Sequence, residues 1–176
     1  MIDSLITSKT RIKILLKFFL NSDTTAYLRS LEKDFEESTH AIRTELNRFL
    51  KAGLLKLELN GNRKVYRANT EHPLYNDINS IIRKTVGIDQ IVDHITSKAG
   101  DLRKVCLTGN FAEGIDSDTI ELIFAGKNLD TEYIDSLISK AEKHIKRKIV
   151  YLIMTQDQMK HFFSNKPILL VWEKDG

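Results

Sequence analysis

The sequence predicts an α+β protein made of two domains, residues 1–85 and residues 86–176. Two observations support this fold class. In the first part, three stretches with apolar residues at helical spacing precede one stretch in which apolar and polar residues alternate. In the second part, short apolar runs typical of strands alternate with longer helical patterns. A chain of 176 residues, 41% of them hydrophobic, is long enough for two small globular domains.

The first domain begins with three predicted helices. They cover residues 8–20, 28–35 and 39–52, with a short extended piece over residues 24–27. The hydroxyl of Thr7 or Ser8 is expected to cap the first helix, and that of Ser38 the third. Gly53 is expected to end the third helix, because glycine readily adopts the left-handed conformation found there.

A hairpin is predicted next, over LLKLELNGNRKVYRAN at residues 54–69. Leu55, Leu57 and Leu59 alternate with polar residues, which indicates a half-buried strand. We expect Asn60-Gly61 to form a two-residue turn, since both central positions of such a turn favour positive φ. Residues 64–67 then form the return strand. The predicted elements follow the order of a winged helix-turn-helix, which is helix, short strand, helix, turn, helix and hairpin.

The third helix has one apolar face, formed by Ile42, Leu46, Phe49 and Leu50, which is expected to face the core. The second helix of a helix-turn-helix lies in the major groove of DNA, where arginine reads guanine and asparagine reads adenine. The predicted DNA-binding residues are Thr39, His40, Arg43, Thr44, Asn47, Arg48 and Lys51 on the helix, and Asn60, Asn62, Arg63 and Lys64 at the hairpin tip. Two alternatives stay open. In one, this helix face is only solvated, and in the other, the winged helix binds protein.

Charge is distributed unevenly along the chain. The formal net charge is +3, but residues 1–85 carry 15 Lys/Arg against 10 Asp/Glu, while residues 86–176 carry 12 against 14. Any polyanion is therefore expected to meet the first domain.

Residues 8–85 resemble the ArsR/MarR-like winged-helix transcriptional regulators of bacteria and archaea. The resemblance includes the ending NTEHPLYNDINSIIRKT, in which Pro73 opens a helix with Leu74, Ile78, Ile81 and Ile82 on one side. It implies double-stranded DNA as the partner. Members of the family that sense metals use cysteine or histidine clusters. This chain has one cysteine and five histidines without metal-ligand spacing, so no metal is expected.

Two apolar helices connect the domains in the prediction, over residues 73–85 and 88–99, with a break near Val86-Gly87. The second carries Ile88, Ile91, Val92 and Ile95 on one face. Such a helix can pack under its own domain or pair with its twin. Because operators with two-fold symmetry favour dimeric proteins, we expect a homodimer.

The second domain is predicted to be a small α/β layer structure. Its expected strands cover residues 104–108, 120–124, 148–154 and 168–172, and its helices residues 131–145 and 156–163. Cys106 lies between Val105 and Leu107, so it is expected to be a buried strand residue and not a nucleophile.

Residues 86–170 resemble the minimal nucleotidyltransferase-like domain that is fused to winged helices in prokaryotic regulators. The resemblance is carried by Gly109, Gly114, Asp116-Ser117-Asp118 and Glu121. Enzymes of this family use Gly-Ser after a strand, two carboxylates at i,i+2 on the next strand to bind magnesium, and a third acid from a later strand. Two carboxylates at that spacing share one face of a strand.

This sequence departs from the enzyme pattern in three places. Asn110 replaces the serine, Asp118 and Glu121 are spaced i,i+3, and the later strand KIVYLIM has no acid. We therefore expect a degenerate domain with no catalytic residues and no cofactor. An active magnesium-dependent nucleotidyltransferase is one alternative, and a protein-interaction scaffold is another.

A degenerate domain can still retain a pocket. The candidate pocket residues are Gly109, Asn110, Gly114, Asp116, Asp118 and Glu121, with the basic cluster Lys143, Lys146, Arg147 and Lys148 near in sequence. A nucleotide or a phosphorylated small molecule is the expected ligand, and a purely structural or dimerising role is the competing interpretation.

No apolar run approaches the ~18–20 residues that span a bilayer, and the N-terminus lacks the pattern of a signal peptide. The sequence thus predicts a cytoplasmic, DNA-binding transcriptional regulator whose second domain serves dimerisation or ligand sensing.

Overall fold

The computed structural model describes residues 2, 5–162 and 166–174, without the side chains of residues 97, 98, 160 and 162. The described chain is a mixed α+β protein that divides into two compact units. The first unit contains Met1–Thr85 together with Gly114–Asp116, and the second contains Val86–Glu113 and Ser117–Gly176.

The first unit contains four helices and three strands among its described residues. In chain order they are α1 (Lys9–Phe19), β1 (Thr25–Tyr27), α2 (Leu28–Phe35), α3 (Thr39–Lys51), β2 (Leu55–Asn60), β3 (Arg63–Ala68) and α4 (Tyr75–Val86). The strands form an antiparallel sheet in the order β1-β3-β2. The predicted helices and the hairpin are confirmed.

The helix ends follow from local hydrogen bonds. The Ser8 hydroxyl oxygen accepts from the Arg11 backbone N–H at 3.2 Å, and the Ser38 hydroxyl oxygen accepts from that of Ala41 at the same distance. Gly53 follows α3 with φ +74°. Both predicted N-caps and the terminating glycine are confirmed.

The core of the first unit is built around α1. Phe19 is fully buried, and its ring contacts Phe49 of α3 and Tyr75 of α4, with ring centroids 6.4 and 5.6 Å away. Ile14 and Phe18 of α1 are also fully buried. Other elements pack on more than one side of α1, so more of its residues are buried than the helical spacing of its apolar residues indicates.

Lys17 is a charged residue inside this core. Its ammonium lies 2.9 Å from the Asp34 carboxylate on α2, and its side chain is nearly inaccessible. A buried charge needs such a partner, since leaving an ion unpaired away from water is costly.

The turn of the hairpin differs from the prediction. Asn60 pairs with Arg63, so the two central residues are Gly61 and Asn62, not Asn60 and Gly61. Gly61 has φ +60°, whereas Asn62 has no positive φ. Glycine with positive φ at the first central position is typical of a type II′ turn. The expectation of two positive φ angles was wrong.

The outer part of the hairpin is also more exposed than predicted. Leu55 is buried, but Leu57 is exposed and Leu59 is 73% exposed. β2 is an edge strand of the sheet, and its burial ends near its first residue. The predicted half-buried strand is therefore confirmed only at Leu55.

Helix α4 has two apolar faces instead of the single predicted one. Tyr75 and Ile82 are buried, and the Asn79 side-chain amide donates to the Phe19 carbonyl oxygen at 2.5 Å. Leu74, just before the helix, and Ile81 are 53% and 51% exposed. The prediction that Ile81 and Ile82 share one side was wrong, because neighbouring helical positions differ by about 100°.

The second unit contains a four-stranded sheet. Its elements are α5 (Ile88–Lys98), β4 (Asp101–Thr108), α6 (Gly109–Ala112), β5 (Thr119–Lys127), α7 (Thr131–Ile145), β6 (Lys148–Met154), α8 (Gln156–Phe162) and β7 (Leu169–Glu173). The strand order is β6-β5-β4-β7. β4 is antiparallel to both of its neighbours, and β5 is parallel to β6, joined by α7. The predicted elements are confirmed, apart from shifts of a few residues at their ends. No helix was predicted at α6, and the predicted helix end at Phe163 lies outside the described residues.

Cys106 lies within this sheet and is almost inaccessible, against Ile123, Met154, Met159 and Ile168. Burial raises the pKa of its thiol to about 11, so the thiol is protonated at neutral pH. The prediction of a buried strand residue is confirmed.

The break between α4 and α5 lies at Gly87, as predicted. Gly87 has φ +90°, and a Cβ added there would lie 2.5 Å from Cγ2 of Ile145 on α7. Both the backbone conformation and the packing therefore require glycine.

We predict that Gly87→Ala lowers the free energy of unfolding by about 2–5 kcal/mol, since it adds a clash with Ile145 to the strain of positive φ. Gly61→Ala is the matched control. Gly61 has φ +60° but nothing within 4 Å of its added Cβ, so its cost is the strain alone, about 1–2 kcal/mol. Urea denaturation followed by circular dichroism measures both. Equal losses in the two variants would contradict the packing explanation.

Candidate functional site

The outward face of α3 carries most of the predicted DNA-binding residues. Ile42, Leu46 and Phe49 are buried and fix the orientation of the helix. Opposite them, the exposed residues are Thr39, His40, Arg43, Asn47, Arg48 and Lys51, and Thr44 is half-buried. The structure thus brings the predicted helix residues together on one surface.

The hydroxyl groups of two of these residues already donate hydrogen bonds within the protein. The Thr39 hydroxyl donates to a Glu32 carboxylate oxygen at 2.6 Å, and the Thr44 hydroxyl donates to the His40 carbonyl oxygen at 2.8 Å. In this arrangement neither hydroxyl is free to donate to a phosphate. The contribution of α3 therefore depends on its longer side chains.

Arg43, Asn47 and Lys51 are exposed donors of this face. Within the described residues, no side-chain hydrogen bond or ion pair involves any of the three. Arg43 and Asn47 are four residues apart, so they lie one helical turn from each other. Lys51 continues the same row at the end of α3. This row is the most available set of donors on α3.

Beneath this face lies a buried carboxylate that the sequence analysis missed. Glu45 is 6% exposed, although it is on α3 among the exposed residues Arg43, Asn47 and Arg48. Its carboxylate accepts two hydrogen bonds from the Arg11 guanidinium, at 2.9 and 3.2 Å, and one from the Ser8 hydroxyl at 3.1 Å. It therefore joins the beginning of α1 to the middle of α3.

Arg48 is the third cation of this network. One of its terminal guanidinium nitrogens lies 2.9 Å from a Glu45 carboxylate oxygen, while its side chain is 61% exposed. The carboxylate holds Arg48 on one side and leaves its other donors facing solvent. Arg48 was predicted as a DNA-binding residue. The structure gives it an intramolecular partner in addition to its exposed position.

The ionisation of Glu45 follows from these contacts. Burial by itself would raise the pKa of the carboxyl group. The hydrogen bonds from Arg11 and Ser8, together with the charges of Arg11 and Arg48, outweigh burial and hold the pKa below its ordinary value of 4.5. Glu45 is therefore a carboxylate at neutral pH.

The signal that identifies Glu45 is its position in the helical repeat. Ile42, Leu46 and Phe49 are buried, and the same stripe passes through position 45, three residues after Ile42. A charged residue at a core position requires a partner of opposite charge. Sequence spacing does not reveal that the partner is Arg11 of α1.

The hairpin tip forms the second part of the predicted surface. Asn62, Arg63 and Lys64 are exposed. The Arg63 guanidinium carbon lies 6.0 Å from the centroid of the Tyr27 ring, and the Asn60 amide donates to the Tyr27 hydroxyl at 3.2 Å. Tyr27 thereby fixes the tip relative to the start of α2.

Glu121 covers Gly109, the first residue of the predicted ligand pocket. Gly109 has φ +63°, and a Cβ added there would lie 2.1 Å from a Glu121 carboxylate oxygen. Glu121 thus fills the space over Gly109 that a ligand was expected to use. Asn110 and Asp118 are exposed in the same unit.

The other two predicted pocket residues belong to the first unit. Gly114 and Asp116 cluster there, and a Cβ added at Gly114 would lie 2.5 Å from the Cα of Lys17. The glycine therefore allows close packing of two backbone segments.

The acidic residues do not form the carboxylate pair of the enzymes. Glu121 shares one face of β5 with Thr119, and its neighbour on β6 is Val150. Asp118 precedes the strand. Within the described part of the chain, no group of three or more His, Cys, Asp and Glu side chains is placed to hold a metal ion.

Residues of the basic cluster hold the acidic loop. The Arg147 guanidinium donates to the Ser117 carbonyl oxygen and lies 5.2 Å from the centroid of the Phe111 ring. The Lys148 backbone N–H donates to the Asp118 carbonyl oxygen at 2.8 Å. These contacts give the cluster a structural part in the second unit.

Among the described residues, no helix is long and apolar enough to cross a membrane.

Comparison with known proteins identifies no family. No protein-family model matches the chain, and no curated protein matches it. Among solved structures, the chain has a likeness to human N-acetylserotonin methyltransferase in complex with SAM, at 14% identity and a TM-score of 0.30. The likeness covers 54% of this chain and 32% of that one, so this chain spans about a third of its length. A similarity this low supports no statement about function.

We predict that Glu45→Gln lowers the stability of the first unit by about 1–3 kcal/mol at neutral pH, because charged hydrogen bonds from Arg11 are weakened. Since the pKa of Glu45 is lowered in the folded state, its contribution is present above the ordinary pKa of 4.5 and is lost as the pH falls through the lowered value. The difference between wild type and variant should therefore shrink in acid.

Urea denaturation at a series of pH values, followed by NMR signals of first-unit residues, measures this difference. Glu36→Gln, at an exposed glutamate, is the control and should change stability little. A difference between wild type and Glu45→Gln that stays constant from neutral pH to pH ~2 would contradict the lowered pKa.

Proposed function

We propose that the chain is a DNA-binding transcriptional regulator, with the first unit as a winged helix-turn-helix that places α3 in the major groove of double-stranded DNA. The observation that carries this proposal is the row Arg43, Asn47 and Lys51, exposed on α3 and without intramolecular partners among the described residues. The resemblance of residues 8–85 to ArsR/MarR-like regulators supports the same function.

The electrostatics of the first unit favour a polyanion. Residues 1–85 carry a net charge of +5. Several acids of the unit are already matched by cations, namely Glu45 by Arg11 and Arg48, Glu58 by Arg67, and Glu71 by Lys56. Acids paired in this way repel phosphates less than isolated ones, and the unpaired cations on α3 and the hairpin tip dominate their surface.

Each donor then has a distinct role. In the major groove, Arg43 suits the two acceptors of guanine and Asn47 suits adenine. Lys51 and the exposed side of Arg48 suit phosphate oxygens, as do Asn62, Arg63 and Lys64 at the hairpin tip. Phosphate contacts set the position of the protein on DNA, and base contacts provide the specificity.

We predict that the double variant Arg43→Gln/Lys51→Gln binds a mixed-sequence DNA duplex more weakly and with a smaller dependence on salt. The lost phosphate contact of Lys51 lowers the slope of log affinity against log salt concentration by about 0.9, and the loss of Arg43 removes a base contact. Fluorescence anisotropy titrations at several salt concentrations measure the slope.

The matched control is Lys127→Gln/Lys143→Gln, which removes two exposed charges from the second unit. It should leave the slope within error of wild type. If both double variants lowered the slope equally, the α3 docking would be wrong. Absence of DNA binding by the wild-type chain would instead favour a winged helix that binds protein.

We further propose that the regulator is a homodimer that pairs through α4. Leu74, Ile78 and Ile81 follow each other at i, i+4 and i+7, so they form a stripe on the side away from Tyr75 and Ile82. Leu74 and Ile81 are more than half exposed. A second copy of the same stripe, related by a two-fold axis, would cover it and match an operator with two half-sites.

We predict that Ile81→Asp shifts the chain toward the monomer, because it places a charge within an apolar contact. Sedimentation equilibrium measures the dissociation constant of the dimer. Asn76→Asp adds the same charge at an exposed α4 position outside the stripe and should not change it. A wild-type chain that is monomeric at all concentrations would contradict this pairing.

For the second unit we propose a non-catalytic role. The support is that Glu121 packs against Gly109, and that its neighbour on β6 is Val150 and not an acid. This arrangement lacks the shared carboxylate face that binding of catalytic magnesium uses. The unit would then contribute to regulation as a binding domain.

A further inference from the structure

We propose that the second unit binds a small amphiphilic carboxylate, an acid with one carboxylate group and a short apolar tail, in the cleft between α5 and α7. This site is separate from the glycine and acidic residues that the sequence singled out.

The cleft is formed by two helices that run antiparallel. Gly87, just before α5, lies against Ile145 near the end of α7, and the Tyr133 hydroxyl on the first turn of α7 donates to the His94 carbonyl oxygen at 3.2 Å. Between these two contacts the helices leave a cavity of about 250 Å³.

The floor of the cleft is apolar. It is lined by Ile91 and Ile95 from α5 and by Leu137, Ile138 and Ala141 from α7. Apolar surface of this kind favours a hydrocarbon or aryl tail, because water is released when the tail is buried.

The rim of the cleft is polar and carries positive charge. The polar lining residues are Gln90, His94, Lys140 and His144. Lys140 is an exposed ammonium group beside the apolar floor, and among the residues that the structure describes no Asp or Glu lines the cavity. One anionic group attached to an apolar body is the ligand chemistry that complements this arrangement.

The dimensions favour a small molecule over a partner helix. The α5 side of the floor extends from Ile91 to Ile95, about 6 Å along the helix axis at 1.5 Å per residue. A helix docked in a groove uses anchors over two turns, which needs about 11 Å. The volume of about 250 Å³ is slightly below the usual ~300–1,000 Å³ range of ligand pockets and suits a molecule smaller than a drug.

The test uses the full-length chain and three probes with the same tail, hexanoate, hexan-1-ol and hexylamine. NMR signals of the His94 and His144 imidazole C–H groups report binding at the rim. We expect saturable shifts with hexanoate, weaker binding of hexan-1-ol and no saturable shifts with hexylamine. Equal affinity for hexanoate and hexylamine would overturn the proposal.

Two pairs of variants locate the site. Lys140→Gln should weaken hexanoate binding about fivefold, the effect of an exposed charge pair, and leave hexan-1-ol binding unchanged. Lys143→Gln, at an exposed lysine of the same helix outside the cleft, should change neither. Ala141→Leu should fill the cleft and abolish both, while Ser139→Leu on the exposed side of α7 should not.

Circular dichroism establishes that each variant is folded. If Ala141→Leu does not fold, Lys140→Gln and Lys143→Gln still test the site. Identical hexanoate affinity in Lys140→Gln and Lys143→Gln would overturn the proposal. Rim signals of the ligand-free chain that shift with protein concentration would show that a second copy covers the cleft, which would also overturn it.

Discussion

The carboxylate of Glu45 is the contact on which the candidate interface depends. It is buried on the underside of α3 and receives hydrogen bonds from Ser8 and Arg11, at the beginning of α1. Ser8 also caps α1, so one hydroxyl both starts that helix and connects it to α3. The network fixes where α3 lies relative to the core helix, and therefore which side chains of α3 face outward. It also places Arg48 at the boundary between the buried network and solvent.

The two faces of α3 follow from this arrangement. Ile42, Leu46 and Phe49 hold one face to the core through apolar burial, and Glu45 supplies the polar contact at the same level of the helix. The opposite face then presents long donors whose hydrogen bonds are not used within the described protein. A rigid helix that carries uncommitted donors on one face loses little conformational entropy when it binds, which is a general requirement of a binding surface.

Most of the fold was predictable from the sequence because periodic burial and local caps determine it. Ser38 and Gly53 bound α3 as expected, and α7 and β6 have the predicted limits. Predictions failed where a tertiary contact decides the outcome. The sequence predicted which side chains of α3 are exposed. It did not predict the hydrogen-bond network of Glu45, since the pairing of Glu45 with Arg11 joins residues 34 positions apart. The contact of Glu121 with Gly109 was missed for the same reason, because Glu121 belongs to a neighbouring strand. The spacing of residues along the chain does not reveal such contacts.

Selection of bound duplexes from a random DNA pool by the full-length chain requires no assumed operator. If α3 reads DNA as one half of a dimer, the pool becomes enriched in a consensus with two inverted half-sites whose centres are separated by about 10 base pairs or a multiple of that spacing, one half-site for α3 of each protomer. A pool that acquires no shared sequence over successive rounds would contradict the claim that α3 reads DNA.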